Sequence, residues 1–318
     1  MLVITGGAGF IGSNLVNFLN NNQDEEILIV EEMDTYLEKF KNLDDLKYID
    51  CIDKNTFIND INNNSSKYKD KISNIFHLGA CSKTTEPDRD YIMSTNFEYS
   101  KDILKYSANN KISLIYASSA SVYGETKLFI ETPEHESFLN HYAESKLLFD
   151  QYYRAHREKI TSQVVGLRYF NVFGPREFHK EGMFSVVYHF FTQMNKSGSI
   201  NLFKGSHGYN DGEQRRDFIH VDDTVKVNNW FKINPEVSGI YNVGTGKSRT
   251  FNDIANCVLD YYQKGSINYI NFPDNLEDQY QAFTEADMSK IKSKGYSNSF
   301  INLEEGVRSY LDWLSKKS

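Results

Sequence analysis

The opening stretch MLVITGGAGFIGSN, residues 1–14, places three glycines, Gly6, Gly9 and Gly12, directly behind a short apolar run. Leu2 to Thr5 reads as a strand, and Ile11, Leu15, Phe18 and Leu19 then recur at helical spacing. The frame Gly7-x-Gly9-x-x-Gly12 overlaps the wider Gly6-x-x-Gly9-x-x-Gly12. Without side chains such a turn lets a pyrophosphate approach the backbone, and the helix starting there aims free N–H groups and its positive dipole end at it. A second apolar run, Ile27 to Val30, ends in Glu31 and Glu32. Strand, glycine turn, helix, strand and acid in that order predict a dinucleotide site.

Further apolar runs at Ile75 to Leu78, Leu114 to Ala117 and Val164 to Tyr169 alternate with helical patterns. That alternation predicts an α/β fold: a doubly wound parallel sheet (Rossmann) with a smaller α/β substrate lobe on its C-terminal side. The expected division is 1–170 for the dinucleotide domain, with 216–246 returning to it, and 171–215 with 247–318 for the substrate lobe. Asn59 to Lys71 reads as a helix end and a polar surface loop.

The 318 residues, 40% hydrophobic and 14% aromatic, can supply a sizeable core. A net charge of -8 without a basic block excludes a nucleic-acid-binding face. The N-terminal residues lack the pattern of a secretion signal and no stretch is apolar enough to span a bilayer, so a cytoplasmic protein is expected, with no membrane partner. Cys51, Cys81 and Cys257 lack metal-ligand spacing, so reduced thiols and no metal site are expected.

An acid after the second strand accepts hydrogen bonds from the adenine ribose and repels a 2′-phosphate, which favours NAD. Lys39 and Lys54 can reach round to such a phosphate, so NAD and NADP both stay open. The segment LGACS, Leu78 to Ser82, ends a later strand and offers Gly79 and Ala80 for a close approach to the cofactor.

In HYAESK, residues 141–146, Tyr142 and Lys146 stand at i and i+4, neighbours on one helix face. Alone the pair is an ordinary polar surface. In a doubly wound fold, however, YASSASVYG, residues 116–124, brings Ser118 and Ser119 to a strand end that faces the ligand crevice. The three residues then divide the work: Ser119 orients a substrate oxygen, Tyr142 moves its proton, and Lys146 holds the nicotinamide ribose and helps lower the tyrosine pKa.

With TGGAGFIGSN, the strand-end serine and Tyr-x-x-x-Lys, the chain resembles the extended short-chain dehydrogenase/reductase family. RYFNVFGPRE (168–177), RRDFIHVDD (215–223) and YNVGTG (241–246) fit its members that modify nucleotide sugars. FHLGACSKTTE (76–86), YFNVFGPREFHKEGM (169–183), LFKGS (202–206), SGIYNVGTG (238–246) and DQYQAFTEADM (278–288) look closer still to members that invert C6 of an ADP-bound heptose for lipopolysaccharide core synthesis. The resemblance implies an enzyme that oxidises C6 to a ketone and reduces it again from the other face, with the cofactor unchanged at the end. Two acid–base groups suit such an inversion, and the resemblance makes Lys180 the second beside Tyr142.

By the same resemblance the cofactor, NADP with NAD as the alternative, is held by Gly6, Gly9, Phe10, Ile11, Gly12, Glu31, Glu32, Lys39, Lys54, Leu78, Gly79, Ala80, Cys81, Ser82, Asn96, Lys146, Val172 and Lys180. The implied substrate contacts are Ser119, Asn171, Gly182, His189, Phe203, Lys204, Gly205, Ser206, Arg216 and Tyr280, and a homo-oligomer, a pentamer, is implied as well. Arg216 suits a diphosphate because a guanidinium clamps it bidentately. Two departures bear on these expectations. Glu31-Glu32 stands where the family often has Asp-Asn, and HGYNDGEQRRDF is longer than its counterpart, leaving Arg215 or Arg216 as anion ligand, of which Arg216 is preferred. The competing readings are a UDP-hexose 4-epimerase, a dehydratase, disfavoured by Ala120-Ser121 where an Asp-Glu pair is expected, and a cofactor-binding sensor or scaffold without turnover.

Overall fold

The structure, a computed structural model, describes residues 1–33, 37–63, 66–68, 70–180, 182–273 and 281–317. The strands are β1 (Leu2–Thr5), β2 (Ile27–Glu31), β3 (Asp50–Asp53), β4 (Asn74–His77), β5 (Ser113–Ser119), β6 (Val164–Tyr169), β7 (Asn171–Phe173), β8 (Ser199–Phe203), β9 (Arg215–Arg216), β10 (Phe218–His220), β11 (Gly239–Val243), β12 (Arg249–Thr250) and β13 (Ser266–Ile270). The helices are α1 (Phe10–Asn22), α2 (Lys54–Asn62), α3 (Arg89–Ile92), α4 (Tyr99–Asn109), α5 (His141–His156), α6 (Val186–Ser197), α7 (Val221–Ile233), α8 (Phe251–Tyr262), α9 (Ser289–Ser293) and α10 (Leu303–Lys317).

Seven strands form one all-parallel sheet in the order β11-β6-β5-β4-β1-β2-β3. The chain builds outward from β1 through β2 to β3, then returns to the other side of β1 with β4. Both faces are covered, so neighbouring residues along a strand enter different cores. Leu2, Ile4, Ile27, Ile29 and Phe76 pack on one face, whereas Val3, Leu28, Val30 and Ile75 pack on the other. A third apolar cluster, with Phe190, Ile200, Val258 and Leu311, lies among α6, β8, α8 and α10.

β5 is longer than its apolar run and carries both Ser118 and Ser119 as strand residues. β3 has no apolar run to announce it: as the outermost strand it is half-exposed, and DCID pairs with β2 through its backbone. Between α3 and α4 the helix widens into a π-helix, Met93–Glu98, a rare form that periodicity does not reveal.

β6, next to the edge strand β11, carries a fully buried arginine. Arg168 donates from Nε and a terminal nitrogen to Asp150 Oδ2 at 3.0 and 2.8 Å, and pairs with Glu136. Tyr116 and Ser118 donate to the same Asp150 carboxylate, tying β5, β6 and α5 together. Gly166 makes the space for this, because a Cβ there would lie 2.4 Å from the Tyr116 hydroxyl oxygen. A buried carboxylate stripped of its cation is costly. Arg168→Met is expected to lose about 3–5 kcal/mol in urea denaturation, with a partial return on adding Asp150→Asn.

Candidate active site

The site is built at the C-terminal ends of β1 and β4, where the direction of sheet growth reverses and a crevice opens between neighbouring loops. Gly6 leaves β1 with a left-handed φ of +69°, and a Cβ there would lie 2.6 Å from the Gly79 nitrogen. Gly12 lets the first turn of α1 approach so closely that a Cβ would lie 2.1 Å from the Gly6 carbonyl oxygen. Gly9 caps α1 without a side-chain hydrogen bond and no acid occupies the first turn, so its N–H groups and dipole face the crevice unopposed. These features fit a dinucleotide pyrophosphate.

The opposite wall, Leu78 to Ser82, is held from below. The Gly79 N–H donates to Thr5 Oγ1 at 3.1 Å, Thr5 Oγ1 lies 2.7 Å from His77 Nδ1, and His77 Nε2 lies 2.8 Å from Ser100 Oγ. Ser100 in turn donates to the Asn96 carbonyl. Donors and acceptors all match if His77 carries its proton on Nε2, the tautomer assigned by this network. Burial first, and the Lys146 charge second, push the His77 pKa down to about 3, so the ring is neutral. Asn96, expected at the cofactor, spends its amide on the wall itself: Oδ1 accepts from the Cys81 N–H at 2.8 Å and Nδ2 donates to the Cys81 carbonyl and Ser145 Oγ.

Ser119 and Tyr142 meet across the end of β5. Strand alternation sends Ser118 inward to Asp150, while the Ser119 hydroxyl oxygen accepts from the Ser121 N–H and hydroxyl. Asn140 caps α5 by accepting from the Ala143 N–H, which sets Tyr142 in the first turn and Lys146 one turn later. Lys146 is buried and donates to the Ala117 carbonyl at 2.8 Å, its ammonium 5.9 Å from the centre of the Tyr142 ring. The expected lowering of the tyrosine is not what these groups produce. Burial raises the Tyr142 pKa, and the hydrogen bond with Ser119 opposes that rise. Burial also lowers Lys146 to about 8, against a smaller opposing attraction from Asp150.

At the edge of the crevice Glu31 accepts from the Ala8 N–H, the Glu32 N–H and the Lys39 ammonium at 3.1, 3.0 and 3.0 Å. Lys54 pairs with Glu32. Both lysines therefore stand at the strand-end acids, each already matched to one carboxylate.

The segment that carries Lys180 leans on the same helix end. Asn14 donates to the Pro175 carbonyl, and the Lys180 ammonium sits 4.9 Å from the centre of the Phe10 ring. Arg176 has a left-handed φ of +71°, rare outside glycine, and its guanidinium grips Asp45 and the Asn42 carbonyl. The Thr84 hydroxyl lies 4.0 Å from the Met183 sulfur, so the loops after β4 and β7 touch across the crevice.

The remaining expected substrate residues are more dispersed. Lys204, Gly205 and Ser206 line an open cavity of about 800 Å³ with Tyr209, Asp211 and Asn252. Phe203 stacks on Phe272 at 4.4 Å, His189 lies edge-on to Phe184, and Gly182 takes φ +83° with open space where a Cβ would stand. Asn171 and Val172 pair with Phe218 and Ile219 through β7, and the Asn171 amide oxygen accepts from Thr284. Arg215 is bound to Ser248 through its side chain, whereas Arg216 is buried beside the Phe251 ring. Tyr280 lies outside the described residues. No group of three or more His, Cys, Asp or Glu suited to a metal occurs among the described residues.

Asp217, which sequence reasoning did not single out, is buried and accepts from the Thr245 N–H and hydroxyl, the Gly246 N–H and the Ala286 N–H. It explains why the RRDF and VGTG motifs occur together: the one carboxylate gathers both loops.

Fold and site together define the class. The chain belongs to the NAD dependent epimerase/dehydratase family, whose sequence profile it matches over residues 2–244. It is 50% identical over 312 residues to an ADP-L-glycero-D-manno-heptose-6-epimerase of Alkalilimnicola ehrlichii, covering 98% of this chain and 97% of that one. Among solved structures, the Helicobacter pylori ADP-L-glycero-D-manno-heptose-6-epimerase is similar with a TM-score of 0.86 and 31% identity, over 99% of this chain and 96% of that one. A UDP-N-acetylglucosamine 4-epimerase from Methanobrevibacter ruminantium M1 has a TM-score of 0.84 and 27% identity, over 100% and 98%. No helix among the described residues is long and apolar enough to cross a membrane.

Lys146 gives a pH signature of this site. Folded, it releases its proton near pH 8; unfolded, at its ordinary value near 10.5. Between those values the unfolded chain binds more protons, so the Lys146 contribution makes the fold more stable as pH rises, by up to about 1.4 kcal/mol per pH unit. Lys146→Met removes this contribution. Urea titrations are expected to show wild type gaining on the variant between pH 7.5 and pH 9.5, on the order of 1–2 kcal/mol.

Proposed function

We propose that the protein inverts C6 of the heptose in ADP-D-glycero-D-manno-heptose, giving ADP-L-glycero-D-manno-heptose for lipopolysaccharide core synthesis. The observation that carries this reading is the half-identical match, end to end, to a curated heptose epimerase. Two features support it: the tyrosine–serine–lysine group where β5 and α5 meet, and Lys180 beside the Phe10 ring at the head of α1. The reading assigns 1–170 with 216–246 to the cofactor and 171–215 with 247–318 to the sugar nucleotide. A homo-oligomer, a pentamer, in the cytoplasm goes with it.

A bound nicotinamide would supply the hydride chemistry at C6. The protein's own residues supply the rest. Ser119 orients O6, and Tyr142 or Lys180 accepts the O6 proton as the ketone forms. After the C6 centre turns in the site, the group on the other side hands a proton back to O6. Lys146, withdrawn from the Ala117 carbonyl, can bond the nicotinamide ribose, and Arg216 serves the diphosphate.

Proton NMR of ADP-D-glycero-D-manno-heptose mixed with the purified protein in D2O, without added cofactor, tests this. The second epimer is expected with protium still at C6, because the hydride returns and does not exchange. Deuterium at C6 would point to proton abstraction, and no product even with NADP or NAD added would exclude the heptose. Lys180→Ala is expected to lose at least about 100-fold in turnover while keeping the dinucleotide, measured by mass spectrometry of the released cofactor.

For the cofactor we favour NADP, with NAD the alternative. Glu31 already has three donors, and Lys39 and Lys54 lie against the acids where a 2′-phosphate would arrive. Replacing both lysines by alanine is expected to lower the ratio of NADP to NAD affinity by about tenfold or more, about 1.4 kcal/mol, read by isothermal titration of protein stripped of cofactor.

A further inference from the structure

Glu177 is fully buried, and a carboxylate so placed needs compensation. Oε2 accepts the Ser185 N–H at 2.6 Å and Oε1 accepts the Ser185 hydroxyl. Among the described residues the only cation within 4 Å is Lys180, whose Nζ lies 3.6 Å from Oε2. The same segment is closed on itself: the Lys180 N–H donates to the Glu177 carbonyl at 3.1 Å, and the Met183 N–H to the Lys180 carbonyl at 2.9 Å.

The two residues that precede this turn are anchored in different directions. Arg176 reaches Asp45 and the Asn42 carbonyl near the crevice edge, whereas Glu177 reaches Ser185, the cap of α6. Lys180 is thus stretched between the Phe10 ring at the head of α1 and a carboxylate fixed to the start of α6.

We infer that Glu177 is the positioning residue of Lys180, holding its ammonium at the crevice. The inference rests on Lys180 being the second acid–base group. At 3.6 Å the carboxylate attracts the ammonium without occupying an N–H in a short hydrogen bond, so its protons stay available to a substrate oxygen. Burial pulls Lys180 toward the free amine, and Glu177 is the charge that opposes it. Among the described residues, the other titratable groups facing the pair add no charge at neutral pH. Tyr188 and Tyr310, beside Glu177, are phenols held protonated by burial, and His179, lowered to about 4 by burial and by the Lys180 and Lys39 charges, is neutral. Over a cycle one hydride leaves C6 and returns, and one proton leaves O6 and returns. Glu177 exchanges neither.

The test is Glu177→Gln, which keeps the shape and removes the charge. Turnover is followed by NMR from pH 6 to 10, and Lys180 is titrated directly as its 13C-dimethyl signal, assigned by its loss in Lys180→Met. The expected result is a Lys180 pKa lowered by about one unit, a pH–kcat limb moved down with it, kcat about tenfold lower at pH 7.5, and KM changed by less than about threefold. Glu177→Asp, which keeps the charge, should restore most of kcat. It also serves if the glutamine variant does not fold, since withdrawing the carboxylate by one methylene should give a smaller shift in the same direction. A fall in kcat with an unmoved Lys180 titration would make Glu177 a purely structural anchor and overturn the inference. Near-normal turnover in Lys180→Met would overturn the assignment beneath it.

Discussion

The molecule depends on one close approach of backbone to backbone. After β3 the chain comes back to β1 from the other side, and the loops leaving β1 and β4 must share the space at the sheet's end. Gly6 and Gly79 meet there at a distance that leaves no room for a Cβ on Gly6, and Gly12 seats α1 on the same turn. The meeting of these three glycines places the head of α1, the wall from Leu78 to Ser82 and the end of β5 around one crevice. Ser119 at the end of β5, and Tyr142 and Lys146 in the first turns of α5, stand on elements ordered around that end of the sheet.

Core and site also share a helix. Tyr142, Lys146 and Asp150 succeed one another at i, i+4 and i+8 on α5, so one face runs from the reacting end into the interior. At the inner end Asp150 is held by Arg168, Tyr116 and Ser118. The rotation of α5, and with it the position of the phenol, is therefore set by a buried charge cluster rather than by apolar packing alone. The cost of burying those charges is offset because each carboxylate oxygen has a donor.

What the sequence discloses follows from how local each signal is. The glycine turn, the Tyr-x-x-x-Lys pair and the strand-end serines are spacings within a few residues, and they were legible. β3 was not, because an outer strand pairs by backbone and need not be apolar. Nor were His77, Asn96, Asp217 and Glu177 as anchors, since three of them find partners on segments distant in the chain and the fourth, Glu177, through a turn that periodicity does not show. For the Tyr142 phenol, spacing shows the neighbouring lysine but not the burial, which raises its pKa. Lys39 and Lys54 were visible as charges, while their pairing with Glu31 and Glu32 needed three dimensions.

The run of hydrogen bonds from Gly79 through Thr5, His77 and Ser100 to Asn96 has a consequence for how a ligand leaves. A loop outside any strand or helix would ordinarily fluctuate, and a ligand would have to still it on arrival. Here the wall is ordered by the protein itself, with every donor facing one way, so that displacing the Gly79 N–H disturbs four residues together. Conformational freedom surrendered during folding is not surrendered again on binding. The saving appears as residence time, which suits a catalyst whose hydride carrier ends each cycle as it began.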